Sequence, residues 1–145
     1  MWVPLIEKAW AKTIGNYLEA DGGIPTNTIH ALAGIPVFGY RFSERKPIKN
    51  LFSLIKADDG MNYIFSINVH YETRCDITYG HAYSLMGAFS MKDKKNNTYN
   101  MIIVRDPWAI TNFNKSWNCN DTRWTDDLVA QVPFGIDPRT SYKNG

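Results

Sequence analysis

The sequence predicts an α+β fold, in which an N-terminal helix and a few short helices accompany an antiparallel β-sheet. Three observations predict it. Apolar residues at the start of the chain recur at helical spacing, three later segments are rich in aromatic and β-branched residues, and turn residues bound each of those segments. With 145 residues, the chain has the size of one domain with a substantial core.

The first helix is predicted over residues 2–18. Its apolar positions follow one another at helical spacing, namely Trp2, Leu5, Ile6, Ala9, Trp10, Ile14 and Tyr17. Pro4 falls in the first turn, where proline is tolerated. The Asp-Gly-Gly-Ile-Pro run at residues 21–25 is expected to end the helix.

A connector with several glycines and prolines follows over residues 25–47. These residues break long regular elements, so the connector is predicted to be a surface excursion with one short strand at residues 37–42. Asn50 is then suited to cap a short helix that runs through Ala57. Its buried positions would be Leu51, Leu54 and Ile55.

Three strands are predicted after this helix, at residues 61–71, 79–91 and 99–105. The polar run at residues 92–97 is a suitable hairpin connection between the last two. A long polar loop with interleaved aromatic residues, residues 112–127, completes the pattern, and a loop of that length in a compact domain usually has a function.

Charge and composition exclude several classes of function. A formal net charge of +2 with both signs interspersed forms no basic stripe for nucleic acid, and the residues Arg41, Arg45, Lys46 and Lys49 are interpreted as a solvated loop. No apolar run approaches the roughly 18 residues of a membrane span, and the N-terminus lacks signal-peptide features. Two cysteines are too few for a disulfide framework. A cytoplasmic location is therefore predicted.

Two short motifs carry the chemistry. Residues 80–84 read Gly-His-Ala-Tyr-Ser, and residues 105–108 read Arg-Asp-Pro-Trp. If the last two strands pair antiparallel, His81 at the start of one approaches Asp106 at the end of the other, as an imidazole and its orienting acid require. The alternatives are a strand histidine that only packs and an aspartate that caps the turn before Pro107.

These motifs resemble the calpain family of papain-like cysteine proteases, peptidase family C2. There the first motif carries the catalytic histidine, and the second carries the third triad residue, usually an asparagine. Further matches are spread along the chain, at Trp2, Leu5, Ile6, Glu7, Lys8, Ala9, Ala11, Lys12, Gly15, Tyr17, Gly22, Gly23, Gly34, Asn50, Leu51 and Phe52. The resemblance implies a partial catalytic domain, with residues 1–23 closing the first lobe and about residues 24–145 forming the second, His-bearing lobe.

The resemblance also implies a role for each motif residue. His81 would be the general base, with Nε2 facing a cysteine thiol, and Asp106 would hold the Nδ1–H of the ring. An aspartate in place of asparagine keeps the same tautomer and adds a charge that stabilises the imidazolium. Trp108 would shield the triad from water, although packing alone also accounts for a tryptophan there.

No residue of the chain qualifies as the nucleophile. Papain-like enzymes place their cysteine at the start of a helix in the other lobe, within a Gly-x-Cys-Trp segment. Neither Cys75 nor Cys119 has this context. In the family, the cysteine-bearing lobe precedes the residue that matches Trp2, and further strands follow the residues that match 144–145. We therefore expect the chain to be a truncated gene product or a fragment of a larger calpain-like protein.

The family also implies calcium, but no metal ligand is assigned. Calcium requires several oxygen ligands, usually with carboxylates among them. The matching positions offer Asn112, Cys119 or Asn120, and Asn144 instead. The nearby acids Asp121, Asp126 and Asp127 are interpreted as solvated loop residues, and His30 and His70 as surface or half-buried polar residues.

Two functions follow as hypotheses. The first is the His-bearing part of a calpain-type, calcium-dependent cysteine endopeptidase, which cleaves protein or peptide substrates only together with a cysteine-bearing lobe. Activity of the chain alone is not expected, because the nucleophile is absent. The alternative is a non-catalytic pseudoprotease module that binds other proteins. Neither hypothesis includes nucleic acid or a membrane span.

Overall fold

The fold is α+β, as predicted, and a computed structural model describes residues 1–41, 50–70, 77–109 and 113–141. The chain forms two compact units, Met1–Phe42 and Ser43–Gly145. The first unit contains two helices, and the second contains the sheet and both motifs. The division between first-lobe and second-lobe residues at about residue 23 stays a prediction.

In the first unit, helix α1 spans Trp2–Ile14 and ends earlier than predicted. Gly15 follows it with φ of 126°, a conformation that glycine adopts without a side-chain clash, and the Gly15 N–H donates to Ala11 O. The helix therefore ends at this glycine and not at residues 21–25. Among the predicted apolar positions, Trp2 and Leu5 are mostly exposed.

The predicted surface excursion begins with a helix instead. Helix α2 spans Pro25–Ala33, because the fixed φ of proline suits a first helical turn, and Gly34 ends it in the left-handed conformation with φ of 65°. Residues 37–41 form no strand, and Phe42, the last residue of that predicted strand, lies outside the described part. Arg41 is exposed, while Arg45, Lys46 and Lys49 also lie outside the described part.

In the second unit, helix α3 spans Leu51–Asp59, two residues beyond the predicted end. Asn50 is the N-cap residue, as predicted, but it has φ of 60° and its side chain makes no capping hydrogen bond. Leu51 and Ile55 are half-buried, whereas Leu54 is exposed. Within the described ranges, no helix is long and apolar enough to cross a membrane.

The sheet has the three predicted strands, β1 (Phe65–Val69), β2 (His81–Lys92) and β3 (Thr98–Arg105). Their order is β1-β2-β3, and β2 is antiparallel to both neighbours. The β2–β3 connection is the predicted hairpin. Its Asp93 accepts hydrogen bonds from the backbone N–H groups of Lys95 and Asn97 and from the hydroxyl of Tyr99.

The core of the second unit lies between the sheet and the segment after the second motif. That segment contains the short helix α4 (Asp126–Val129) and a 3-10 turn at Pro133–Gly135. The buried cluster consists of Met91, Trp124, Leu128 and Val132, with Met91 fully buried. Burial of these apolar side chains holds the polar loop of residues 113–125 against β2 and β3.

Asp121 organises that loop. Its carboxylate accepts hydrogen bonds from the backbone N–H of Trp117 at 2.7 Å and from the guanidinium of Arg123, which also stacks on the Trp117 ring. The side-chain hydrogen bond from Arg123 and, after it, the backbone donors hold the pKa of Asp121 well below its ordinary value of 3.8. The charged form of Asp121 therefore stabilises the folded loop.

Replacing Asp121 with asparagine is expected to lower the free energy of unfolding at pH 7 by about 1 kcal/mol, a value reduced by the partial exposure of Arg123. Because the pKa is lower in the folded state, the parent protein loses this contribution as pH falls below about 4, and the variant does not. Urea unfolding between pH 3 and pH 7 measures both effects. Asp127→Asn, which breaks an exposed pair with Lys94, is the control and should change stability by less.

Candidate active site

Strand pairing brings the two motifs to one end of the sheet. His81 is the first residue of β2, and Asp106 follows the last residue of β3. In the antiparallel register, Ser84 lies opposite Arg105, so the start of β2 and the end of β3 are adjacent. The predicted proximity of His81 and Asp106 is confirmed.

The two side chains form a buried hydrogen-bonded pair. His81 Nε2 lies 3.0 Å from Asp106 Oδ1, and the side chains are only 10% and 8% exposed. An ionised carboxylate only accepts hydrogen bonds, so Nε2 carries the hydrogen and donates a hydrogen bond to Oδ1. A histidine that merely packs would not require this partner.

The predicted roles of the two ring nitrogens are reversed. Asp106 meets Nε2, whereas the resemblance implies that Nδ1 meets Asp106 and Nε2 faces the thiol. The reason is geometric, because Nε2 is at the tip of the imidazole and Nδ1 is close to the backbone. In the Nε2–H tautomer, Nδ1 carries the lone pair. Nδ1 is the atom able to accept a proton.

Asp106 also caps the turn that follows it, as the second interpretation of this residue predicted, while its role as the orienting acid stays a prediction. Its Oδ1 accepts the backbone N–H of Trp108 at 2.8 Å, an Asx turn, while its carbonyl accepts the N–H of Ala109 at 3.0 Å. One oxygen, Oδ1, therefore accepts from both His81 and Trp108. These two donors satisfy Oδ1 of a carboxylate that is only 7% exposed.

Trp108 lies against one face of the imidazole. The two rings are stacked, with centroids 3.9 Å apart and planes at 26°. Trp108 is itself 62% exposed, so it is located between that face of His81 and solvent. This position is compatible with the predicted shielding role, since an indole ring excludes water from the surface that it covers.

Tyr83 contacts the imidazole from another side, and this contact was not predicted from the sequence. The ring centroids of His81 and Tyr83 are 4.7 Å apart with planes at 81°. The available signal was the strand period, because residues two apart in a strand point to the same face. Tyr83 is 7% exposed and its hydroxyl donates to Thr78 O at 3.2 Å.

In the described part of the second unit, no hydrogen bond joins His70 or Cys119 to the His81–Asp106 pair. His30 is exposed, and its Nδ1 lies 2.8 Å from Ile35 O within the first unit. His70 is also exposed. Cys119 is a free, half-buried thiol that no hydrogen bond joins to His81, and Cys75 lies outside the described residues.

The calcium that the family implies does not fit the acids after Trp108. All four acids after Trp108 are paired with basic side chains: Asp121 with Arg123 at 2.5 Å, Asp127 with Lys94 at 2.7 Å, and Asp126 and Asp137 with the same Arg139, each at 2.8 Å. Asn112 and Asn144 lie outside the described part. Among the residues that the structure covers, no group of three or more His, Cys, Asp or Glu is arranged to hold a metal ion.

Sequence comparison with known proteins identifies the same family as the two motifs. A family model described as "Calpain family cysteine protease" matches residues 1–131. The chain is 30% identical over 131 residues to the calpain-2 catalytic subunit of Mus musculus, which covers 85% of this chain and 18% of that protein. It is 26% identical over 145 residues to the calpain-2 catalytic subunit of Gallus gallus and the calpain-1 catalytic subunit of Sus scrofa, with 94% of this chain and 19% of each relative covered.

The chain thus spans about a fifth of the length of the curated relatives that it matches. The family match covers most of the chain and includes both motifs, with His81 and Asp106 in hydrogen-bonding contact. The chain belongs to the calpain family of cysteine proteases.

Proposed function

We propose that the chain supplies the base and the orienting acid of a calpain-type cysteine endopeptidase. The observation that carries the proposal is the buried hydrogen bond of 3.0 Å between His81 Nε2 and Asp106 Oδ1. A histidine with an orienting acid activates a nucleophile in such proteases, and the family acts on proteins. The substrate class is therefore protein or peptide.

In the proposed reaction, His81 accepts the thiol proton through Nδ1, and the resulting thiolate attacks the scissile carbonyl carbon. Asp106 keeps the Nε2–H in place and stabilises the imidazolium that forms. The imidazolium then returns the proton to the leaving amine, and water hydrolyses the acyl-enzyme. The cysteine is proposed to come from outside the printed sequence, and no step is assigned to calcium. A cytoplasmic site of action stays a prediction.

A chimera tests this proposal. The chimera is the mouse calpain-2 catalytic subunit in which this chain replaces the segment that aligns with it. All other residues of the chimera come from calpain-2. We expect the chimera to cleave a fluorogenic peptide and to be labelled by a thiol-directed epoxide, because His81 would generate the thiolate. Peptide cleavage and label incorporation, measured by mass spectrometry, give two independent readouts.

The chimera is first compared with unmodified calpain-2 by thermal melting to verify its folding. A folded chimera that neither cleaves peptide nor takes up the epoxide would contradict the proposal and favour the non-catalytic, protein-binding module. Assays include Ca²⁺, because the family implies calcium and the calpain-2 portion of the chimera is retained.

A further inference from the structure

We propose that Tyr83 is a positioning residue for His81 and holds both the imidazole and the turn that leads into it. The inference rests on the function proposed above, because the orientation of His81 matters for catalysis only if His81 is the base. Tyr83 lies two residues after His81 in β2, on the same face of the strand. Two separate contacts carry the argument.

The first contact restrains the imidazole ring. Tyr83 meets it at 81° with a centroid distance of 4.7 Å, while Trp108 stacks on it at 26° and 3.9 Å. Rotation about the Cβ–Cγ bond of His81 would move Nε2 away from Asp106, and on the way it would turn the imidazole out of the plane in which both aromatic rings contact it. Trp108 is mostly exposed whereas Tyr83 is buried, so Tyr83 is the more firmly held of the two aromatic neighbours.

The second contact restrains the backbone before His81. The Tyr83 hydroxyl donates to Thr78 O at 3.2 Å. Between Thr78 and His81, Gly80 takes a left-handed conformation with φ of 64°, and its N–H donates to Val69 O at 2.6 Å. The hydroxyl therefore ties the start of this turn to the strand that the turn enters. A hydrogen bond to a fixed side chain limits the motion of the segment that carries His81.

The test measures the His81 Nε2–H proton by NMR in the 145-residue chain, which requires no catalytic activity. Its exchange with water reports how often the hydrogen bond to Asp106 opens. Tyr83→Phe removes the hydroxyl and keeps the ring, and Tyr83→Leu removes both contacts. Ser66→Ala is the matched control, because it removes another 3.2 Å hydrogen bond, from the Ser66 hydroxyl to the Tyr83 carbonyl.

We expect exchange to be about fivefold faster in Tyr83→Phe, equivalent to about 1 kcal/mol, and the proton signal to be lost in Tyr83→Leu. Ser66→Ala should remain close to the parent. A folded Tyr83→Phe variant whose Nε2–H proton exchanges at the parental rate would overturn the proposal. If Tyr83→Leu does not fold, the Tyr83→Phe result alone is the test. An inactive chimera with the expected exchange series would instead contradict the protease function and leave the positioning contact supported.

Discussion

Replacing His81 with alanine in the chimera is expected to lower kcat for peptide cleavage by about 10⁴-fold or more. The variant lacks the group that would take the thiol proton, so the cysteine would remain mostly a neutral thiol at pH 7. Labelling by the epoxide should fall in parallel, because the same thiolate reacts with it. Initial rates and label incorporation at matched enzyme concentrations measure the effect.

The matched control is His30→Ala. His30 is also an imidazole with one hydrogen bond, at 2.8 Å to Ile35 O, but it is exposed and lies in the first unit. Its replacement should leave kcat within about twofold of the parent, as is usual for surface changes of less than 0.5 kcal/mol. Equal losses in the His30 and His81 variants would indicate general damage and would contradict a catalytic role for His81.

Replacing Asp106 with alanine is expected to reduce kcat by on the order of 10²- to 10³-fold, and replacing it with asparagine by less than about tenfold. Alanine offers no acceptor for His81 Nε2–H or for the Trp108 N–H, so the imidazole loses its orientation. The side-chain oxygen of asparagine can accept both hydrogen bonds, while its amide group is uncharged and has an NH₂ in place of Oδ2. Steady-state kinetics of the two variants separate orientation from charge.

Stability provides the second measurement for Asp106. The alanine variant leaves two donors without their acceptor in a site where Asp106 is 7% exposed, and unfolding should become easier by about 1–3 kcal/mol. The asparagine variant should unfold close to the parent. If alanine and asparagine reduced kcat equally, the orienting role assigned to the Oδ1 oxygen would be wrong and the charge would be the dominant contribution.

The backbone placement of the site could be predicted from the sequence, but the orientation of the imidazole could not. A short connection between two strands requires antiparallel pairing, and that pairing places His81 beside Asp106. Pairing determines the positions of the Cα atoms only. Which ring nitrogen meets the carboxylate depends on side-chain rotation and on Tyr83 and Trp108, which no periodic pattern encodes.

The predicted element types were more accurate than their ends. Helix α1 was predicted correctly as a helix, but it ends at Gly15 and not at the Asp-Gly-Gly-Ile-Pro run of residues 21–25. One glycine with positive φ is sufficient to end a helix. Pro25 was interpreted as a breaker and begins α2 instead, since proline is unfavourable only inside a helix. Both residues mark a helix boundary, and the local backbone conformation determines whether a helix ends or begins there.

The shared oxygen of Asp106 links the dynamics of two groups. Oδ1 accepts hydrogen bonds from both the His81 ring and the Trp108 backbone N–H. The turn that carries the indole therefore cannot move away from the imidazole without breaking the hydrogen bond between Trp108 N–H and Oδ1. Stacking of the indole on the imidazole adds a second link between the same groups. We therefore expect a motion that exposes the imidazole to water to displace the indole as well.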